Sequence, residues 1–341
     1  MPIGIMGYDG IDRHKICYVA DEAVFSMDEH IAYIEKLVAE GGPDPSEYEA
    51  LNQRIIEISD RRRDGDVTAQ EIKALRQAFG QALSTGTLQG FAFRKPYGYP
   101  GDYEIIDRIY CEHIAENPEL KKWDRFFHAQ SASIAVRNRK SYFMDLLQSL
   151  KRKNGQDEDI SVLNVASGPM RGVFEFLGKS TDHDIRFECI DADARAIEYA
   201  KDLCEPYLDR IEFHERNALR FKTDKQYKLV WSAGLFDYLD DKTFQFLLSH
   251  LLDILDEEGE LVVGNFTTPN PNRAYMEVVG DWYLHHRTTD ELVDLSKACG
   301  IPAEDIRVGR EPEGINLFLR IKKGNRFIEL RRQSGKTSRR E

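Results

Sequence analysis

The sequence predicts an α/β protein. A mostly parallel sheet of seven strands ends in an antiparallel hairpin and lies beneath a helical N-terminal cover. Three observations carry this. The apolar run Ser161-Val162-Leu163-Asn164-Val165-Ala166 ends in the small-residue turn Ser167-Gly168-Pro169-Met170-Arg171-Gly172, and a helix follows from Val173. Strand, tight turn and helix N-terminus in that order make a nucleotide-binding edge. After residue 160 strand signals alternate with helical ones, whereas before residue 150 apolar residues recur only at helical spacing.

Bulk composition narrows the class. The 341 residues are 41% hydrophobic and 11% aromatic, enough for a substantial core and too apolar for disorder. A net charge of −12 offers no basic field, so nucleic acid is not an expected partner. The basic runs Arg61-Arg62-Arg63 and 331–340 read as a solvated face and a loose tail. The five cysteines, Cys17, Cys111, Cys189, Cys204 and Cys299, form no CxxC pair. That spacing argues against a disulfide framework or a metal centre and fits a reducing cytoplasm. The start lacks a signal-peptide pattern, and no run approaches the roughly 18 apolar residues of a membrane span. The expectation is a cytoplasmic monomer or homodimer acting on a small molecule.

In chain order, Gly4, Gly7 and Gly10 suggest an irregular arm over residues 1–27, with Tyr8 its one large contact. Helices follow from Asp28, with Ile31, Ile34 and Leu37 inward, and from Ser46, with Leu51, Ile55 and Ile58 inward. A third starts at the capping box Thr68–Glu71 and carries Ile72, Leu75, Phe79 and Leu83 on one side. Residues 91–103 hold two prolines and two glycines, which forbid a long helix, together with aromatic residues. Helical patterns resume from Asp102 and over 119–150. The polar stretch 151–159 marks the boundary between a cover, 1–150, and a sheet domain, 151–330; the basic tail 331–341 reads as disordered. Strands are expected at 160–166, 185–190, 210–214, 227–232, 259–266, 304–309 and 315–321. The apolar stripe from Phe244 to Leu255 predicts a helix covering the sheet, and Thr288–Glu291 a second capping box. Residues 310–314 are too few for a helical crossover, so the last two strands form a hairpin.

The nucleotide edge is specific in its details. Only Gly168 and Gly172 are glycines, and Met170 obstructs the close backbone approach that a pyrophosphate needs, which disfavours a dinucleotide. Asp191 ends the second strand about 20 residues on, where a carboxylate can take both ribose hydroxyls. Asp193 suits a helix cap better. Asn217 and Ala218 end the third strand, where an amide can pair with adenine. Ser232, then Leu235, Phe236, Asp237 and Tyr238, end the fourth with a wall beside a ligand.

With those motifs in register, residues 160–322 resemble the class I S-adenosylmethionine-dependent methyltransferases, a Rossmann-like fold. The family's acidic-x-Gly-x-Gly-x-Gly run aligns with Asn164, Ala166, Gly168 and Met170. The resemblance implies S-adenosyl-L-methionine as cofactor, with Asp191 on ribose, Asn217 and Ala218 at adenine, and Ser167 and Gly168 near the methionine part. The runs Lys95-Pro96-Tyr97-Gly98-Tyr99-Pro100-Gly101-Asp102-Tyr103 and Asp281-Trp282-Tyr283-Leu284-His285-His286-Arg287 are similar to signatures of a subgroup. That subgroup includes enzymes that methylate the carboxyl group of 3-hydroxy fatty acids.

Chemistry then selects residues. A sulfonium favours aromatic faces, through cation–π attraction of roughly 0.5–2 kcal/mol; Tyr97, Tyr99, Tyr103, Phe236 and Tyr238 are candidates, with Tyr8 if the arm folds back. Arg137 or Arg139 can hold the cofactor's carboxylate by a bidentate contact. Tyr99, Asp102, Tyr103, Tyr238 and His285 form the expected catalytic set. His286 and Asp237 are further proton acceptors. A carboxylate acceptor needs no base, whereas an alcohol or amine does. Asn164 in place of an acid also admits cyclisation of S-adenosylmethionine to azetidine-2-carboxylate with release of methylthioadenosine, as in the azetidine-2-carboxylate synthases. A non-catalytic cofactor sensor is the third reading.

Overall fold

A computed structural model describes residues 25–154, 160–179 and 185–323. The expectations for the N-terminal arm, Tyr8 and the basic tail lie outside them. The strands are β1 (Ile160–Val165), β2 (Ile185–Asp191), β3 (Ile211–Glu215), β4 (Tyr227–Ser232), β5 (Leu255–Phe266), β6 (Ile306–Arg310) and β7 (Asn316–Lys322). They form one seven-stranded sheet in the order β3-β2-β1-β4-β5-β7-β6. β1 to β5 pair in parallel, and β7 runs antiparallel to both β5 and β6. This is the class I methyltransferase sheet. Its order reverses between β1 and β4, and ligands of such sheets bind beyond the carboxyl ends at that switch point.

The cover comprises α1 (Met27–Ala39), α2 (Tyr48–Asp64), α3 (Ala69–Ala78), α4 (Leu88–Arg94), α5 (Tyr103–Tyr110), α6 (Lys121–Ala129) and α7 (Ser131–Asn154). Around the sheet run α8 (Arg171–Lys179), α9 (Ala194–Leu203), α10 (Asp241–Asp253), α11 (Arg273–Val278) and α12 (Thr289–Ala298). Both capping boxes form, at Thr68 and at Thr288.

The structure departs from the expected elements in five places, one being that Leu255 opens β5 and does not close the helix expected over Phe244 to Leu255. Phe91 and Phe93 belong to the short helix α4, because Thr87 caps it and the prolines come only after Arg94. The helix expected over 119–150 breaks at Gln130, whose backbone is extended, and resumes as α7. Phe79 and Leu83 do not continue α3; a 3-10 turn, Gly80–Leu83, takes over. Between β5 and α12 the chain adds α11, where no element is expected from the sequence.

Three cores result. Phe143, Leu147, Val173, Phe187, Trp231 and Phe318 pack α7 and α8 on one face of the sheet. Val165, Val230, Phe244, Leu248, Leu252 and Leu292 pack α10 and α12 on the other. The cover has its own core, with Leu51, Ile55, Phe79, Trp123 and Phe126, and it reaches down to Phe266 and Val278. Helix α7 runs from the cover onto the sheet, with Tyr142 stacked on Phe318 at 3.8 Å and Phe143 on Trp231 at 4.6 Å. No helix among the described residues is long and apolar enough to cross a membrane.

Candidate active site

The turn after β1 sets the site. Ala166, Gly168 and Met170 have φ of 51°, 55° and 60°. These are the positions aligned with the family's glycines, and all three adopt the left-handed backbone that glycine takes freely. A side chain there costs roughly 1–2 kcal/mol per residue, so two of the three positions carry strain that packing must offset. Met170 is 3% exposed and packs among the residues of α8 and β2. Its sulfur accepts from Asn164 Nδ2 at 3.1 Å. Met170 therefore anchors the turn from within the core, and space stays open at Gly168, where an added Cβ would meet nothing within 4 Å.

Asp191 ties the turn to the end of β2. One of its oxygens accepts from the Gly168 N–H at 2.9 Å and the other from the Asp193 N–H at 3.0 Å. Burial raises its carboxyl above the usual carboxylate range, against those backbone donors. Asp193 caps α9, pairs with Arg195 and accepts from Tyr99 Oη at 2.8 Å. Asn217 Oδ1 accepts from the Leu219 N–H at 2.9 Å, which leaves its amide nitrogen for a ligand. Ala218 forms part of the wall.

The two unusual motifs meet above this edge. Lys95 Nζ pairs with Asp281 at 2.8 Å. Trp282 Nε1 donates to Tyr238 Oη at 2.8 Å, and Tyr238 Oη donates to the Pro100 carbonyl at 3.2 Å. Gly101 lies at this contact with φ 69°, and a Cβ there would sit 2.5 Å from Tyr238 Oη and 2.8 Å from the Trp282 ring. Gly101→Ala is expected to undock the aromatic loop. Limited proteolysis should cut residues 96–102 faster than in the parent, and an unchanged cleavage rate would contradict the docking.

A cavity of about 940 Å³ joins these parts, at the upper end of the roughly 300–1,000 Å³ span of ligand pockets. Of the expected residues it is lined by Tyr99, Tyr103, Asn164, Ala166, Ser167, Gly168, Asp191, Asn217, Ala218 and Tyr238. Burial, with Asp193 beside Tyr99 and Asp237 beside Tyr238, keeps both phenols protonated far above their ordinary value, so they form walls and do not act as bases.

Seven expected residues stand elsewhere: Tyr97, bonded to Glu104, Phe236, fully buried in the sheet core, and His286, in the groove of His285, join the four that follow. Asp102 caps α5 by accepting from the Glu104 and Ile105 N–H groups at 2.9 and 3.0 Å. Ser232 is fully buried in β4. His285 is exposed in a surface groove with Asp241 and Glu291. Arg137 turns away to His128 and Glu112. Arg139 reaches the cavity instead, because two positions along a helix rotate a side chain by roughly 200°. It is 5% exposed, donates to the Ala233 carbonyl at 3.2 Å and keeps a buried Nε without a partner.

Beyond the sheet edge the cavity continues into the cover as an apolar chamber walled by Ile106, Ile109, Phe127, Val136 and Phe266. Gln89 lines it too, its amide oxygen accepting from Tyr275 Oη at 2.7 Å. Tyr275 lies on the unexpected α11. Away from the cavity, Glu188, Glu212 and His214 bring three ligand-type atoms within 4.8 Å, but Lys225 already pairs with both carboxylates at 2.8 Å.

No protein-family model matches the chain, and no curated protein matches it. Solved structures do. A possible exported protein from Bordetella parapertussis is 16% identical, with 90% of this chain and 99% of that one covered and a TM-score of 0.55. The S-adenosylmethionine-dependent methyltransferase SibL, in its apo form, is 14% identical over 88% of this chain and 96% of that one, TM-score 0.45. N-methyltransferase NodS from Bradyrhizobium japonicum WM9, in complex with S-adenosyl-L-homocysteine, is 15% identical over 64% and 97%, TM-score 0.41. At these identities the likeness is one of fold: a class I methyltransferase sheet, with the Bordetella protein's match extending over most of this chain.

Proposed function

We propose that this chain is an S-adenosylmethionine-dependent enzyme that methylates a small apolar molecule. The observation that carries the reading is one continuous cavity with a polar nucleotide end on the sheet and an apolar chamber in the cover. The residues fit the cofactor. Asp191 stands ready for ribose, the open face at Gly168 admits close approach, and Asn217 keeps an amide donor for adenine. Two of the buried polar atoms without partners, Arg139 Nε and Ser167 Oγ, belong to residues that line the cavity. Arg139 is the cation suited to the cofactor's carboxylate. When bound, S-adenosylmethionine supplies an electrophilic methyl group on a sulfonium.

The chain's own contribution is alignment and exclusion of water. Tyr99 latches the aromatic loop to Asp193, and Tyr238 latches it to Pro100, so the loop closes the site over the edge. The chamber favours methyl transfer over cyclisation, which needs no space for a second molecule. Incubation of the full chain with S-adenosylmethionine, with and without an apolar acceptor, followed by mass spectrometry, separates the readings. S-adenosylhomocysteine formed only with acceptor is the expected result. Methylthioadenosine formed without acceptor would establish cyclisation, and binding without product would establish a sensor.

A further inference from the structure

We infer that Asp237 is the proton acceptor of this site, and that the molecule methylated carries a hydroxyl or a weakly basic amine on an apolar body. This rests on the methyl-transfer reading above.

Asp237 sits in the 3-10 turn Phe236–Tyr238 just after β4, at the edge of the switch point. It lines the cavity although it is only 2% exposed. One carboxylate oxygen accepts from the Phe266 N–H at 2.6 Å, and its backbone carbonyl accepts from the His285 N–H at 2.7 Å. Arg287 fixes the turn further, donating to the Phe236 and Leu239 carbonyls and to Asn265. The second signature motif thus holds this carboxylate in place. Its other oxygen accepts no hydrogen bond among the described residues. Asp191 and Asp193, by contrast, have both oxygens engaged, and Asp102, which takes two backbone donors on one oxygen, is not among the residues that line the cavity.

The charged groups facing Asp237 are Arg139 from α7 and Arg287 from the segment before α12, with the phenol of Tyr238 beside it. Burial outweighs both arginines and pushes the carboxyl up to about 6. A base is most effective when its pKa lies near the working pH. A carboxylate acceptor, as in the hydroxy fatty acid that the resemblance implies, needs no base and would bring a second negative charge against Asp237. A hydroxyl must lose its proton to attack, a weakly basic amine must shed one as it is methylated, and neither brings a charge. As its O–H or N–H bond breaks, the proton passes to the free Asp237 oxygen. A lone pair of the substrate's oxygen or nitrogen forms the bond to the methyl carbon, the pair of the broken O–H or N–H bond stays on the same atom, and the pair of the broken carbon–sulfur bond stays on the sulfur of the sulfonium donor. Asp237 then gives the proton to solvent.

Asp237→Asn keeps an oxygen for the Phe266 N–H and removes the titration. The folded carboxyl holds its proton more tightly than the unfolded one, so the contribution of Asp237 to stability is fully present below about pH 4 and is lost as pH rises through about 6. Urea midpoints at pH 4.5 and pH 8 should therefore fall in the wild type relative to Asp237→Asn; parallel profiles would overturn the assignment. With S-adenosylhomocysteine present at pH 8, 4-butylphenol and 4-butylaniline should bind at least tenfold more tightly than 4-butylbenzoate. That gap should shrink below threefold in Asp237→Asn. Equal or tighter benzoate binding, a gap unchanged in the variant, or binding of none of the three would overturn it. A chain that does not bind S-adenosylhomocysteine would instead sink the parent reading.

Discussion

Asp107→Ala is expected to cost about 3–5 kcal/mol of folding stability, the range for stripping a buried ion of its partner. Asp107 lies on α5 of the cover and is 6% exposed. It accepts from Arg171 Nε at 2.8 Å and Nη2 at 2.6 Å, and from the Tyr199 hydroxyl. Arg171 opens α8 and Tyr199 lies on α9, so one carboxylate clamps the cover to two helices of the sheet domain. Removing it leaves a guanidinium with little solvent and no counter-charge. Urea unfolding checks the figure; a loss below about 1 kcal/mol would mean that solvent screens the pair as it does surface bridges. Asp107→Asn, which keeps an acceptor, should fall between the two.

Asp191→Ala is expected to weaken S-adenosylmethionine binding at least tenfold while leaving the fold intact. Two effects add. The ribose loses its acceptor, and the turn loses the bonds from Gly168 and Asp193 that hold its strained backbone. Asp191→Asn separates them, since an amide oxygen can still accept one backbone N–H but carries no charge. Unchanged affinity in Asp191→Ala would remove this residue from the site. Because burial raises the Asp191 carboxyl, wild-type affinity should fall on acidification at a higher pH than an exposed aspartate would give.

Local signals made most of the fold legible. A run such as Ser161–Ala166 followed by small residues can be little else than a buried strand and turn, and a Thr-x-x-Glu capping box marks a helix start within a few residues. The short link 310–314 settled the final hairpin through geometry alone, and Glu311 closes it by accepting from the Ile315 and Asn316 N–H groups. Long-range pairing was not legible. Nothing near Asp107 in sequence points to Arg171, 64 positions away. The choice between Arg137 and Arg139 depends on which face of α7 meets the sheet, and that is decided by Tyr142 and Phe143 stacking beyond it. Helix α11 is not legible because six residues after a run of Thr, Pro and Asn carry too little periodicity. Asp102 is ambiguous for a related reason: an aspartate before a helix can cap it or serve a site, and the two backbone donors on its carboxylate show the capping role.

The central claim is that the open face of the turn at Gly168, with Asp191 beneath it, receives an adenosyl cofactor. Calorimetric titration of the full chain with S-adenosylhomocysteine tests it most directly. One molecule bound per chain, with binding lost or weakened at least tenfold in Asp191→Ala, is the predicted result. No binding of either S-adenosylhomocysteine or S-adenosylmethionine by the folded wild-type chain would contradict it.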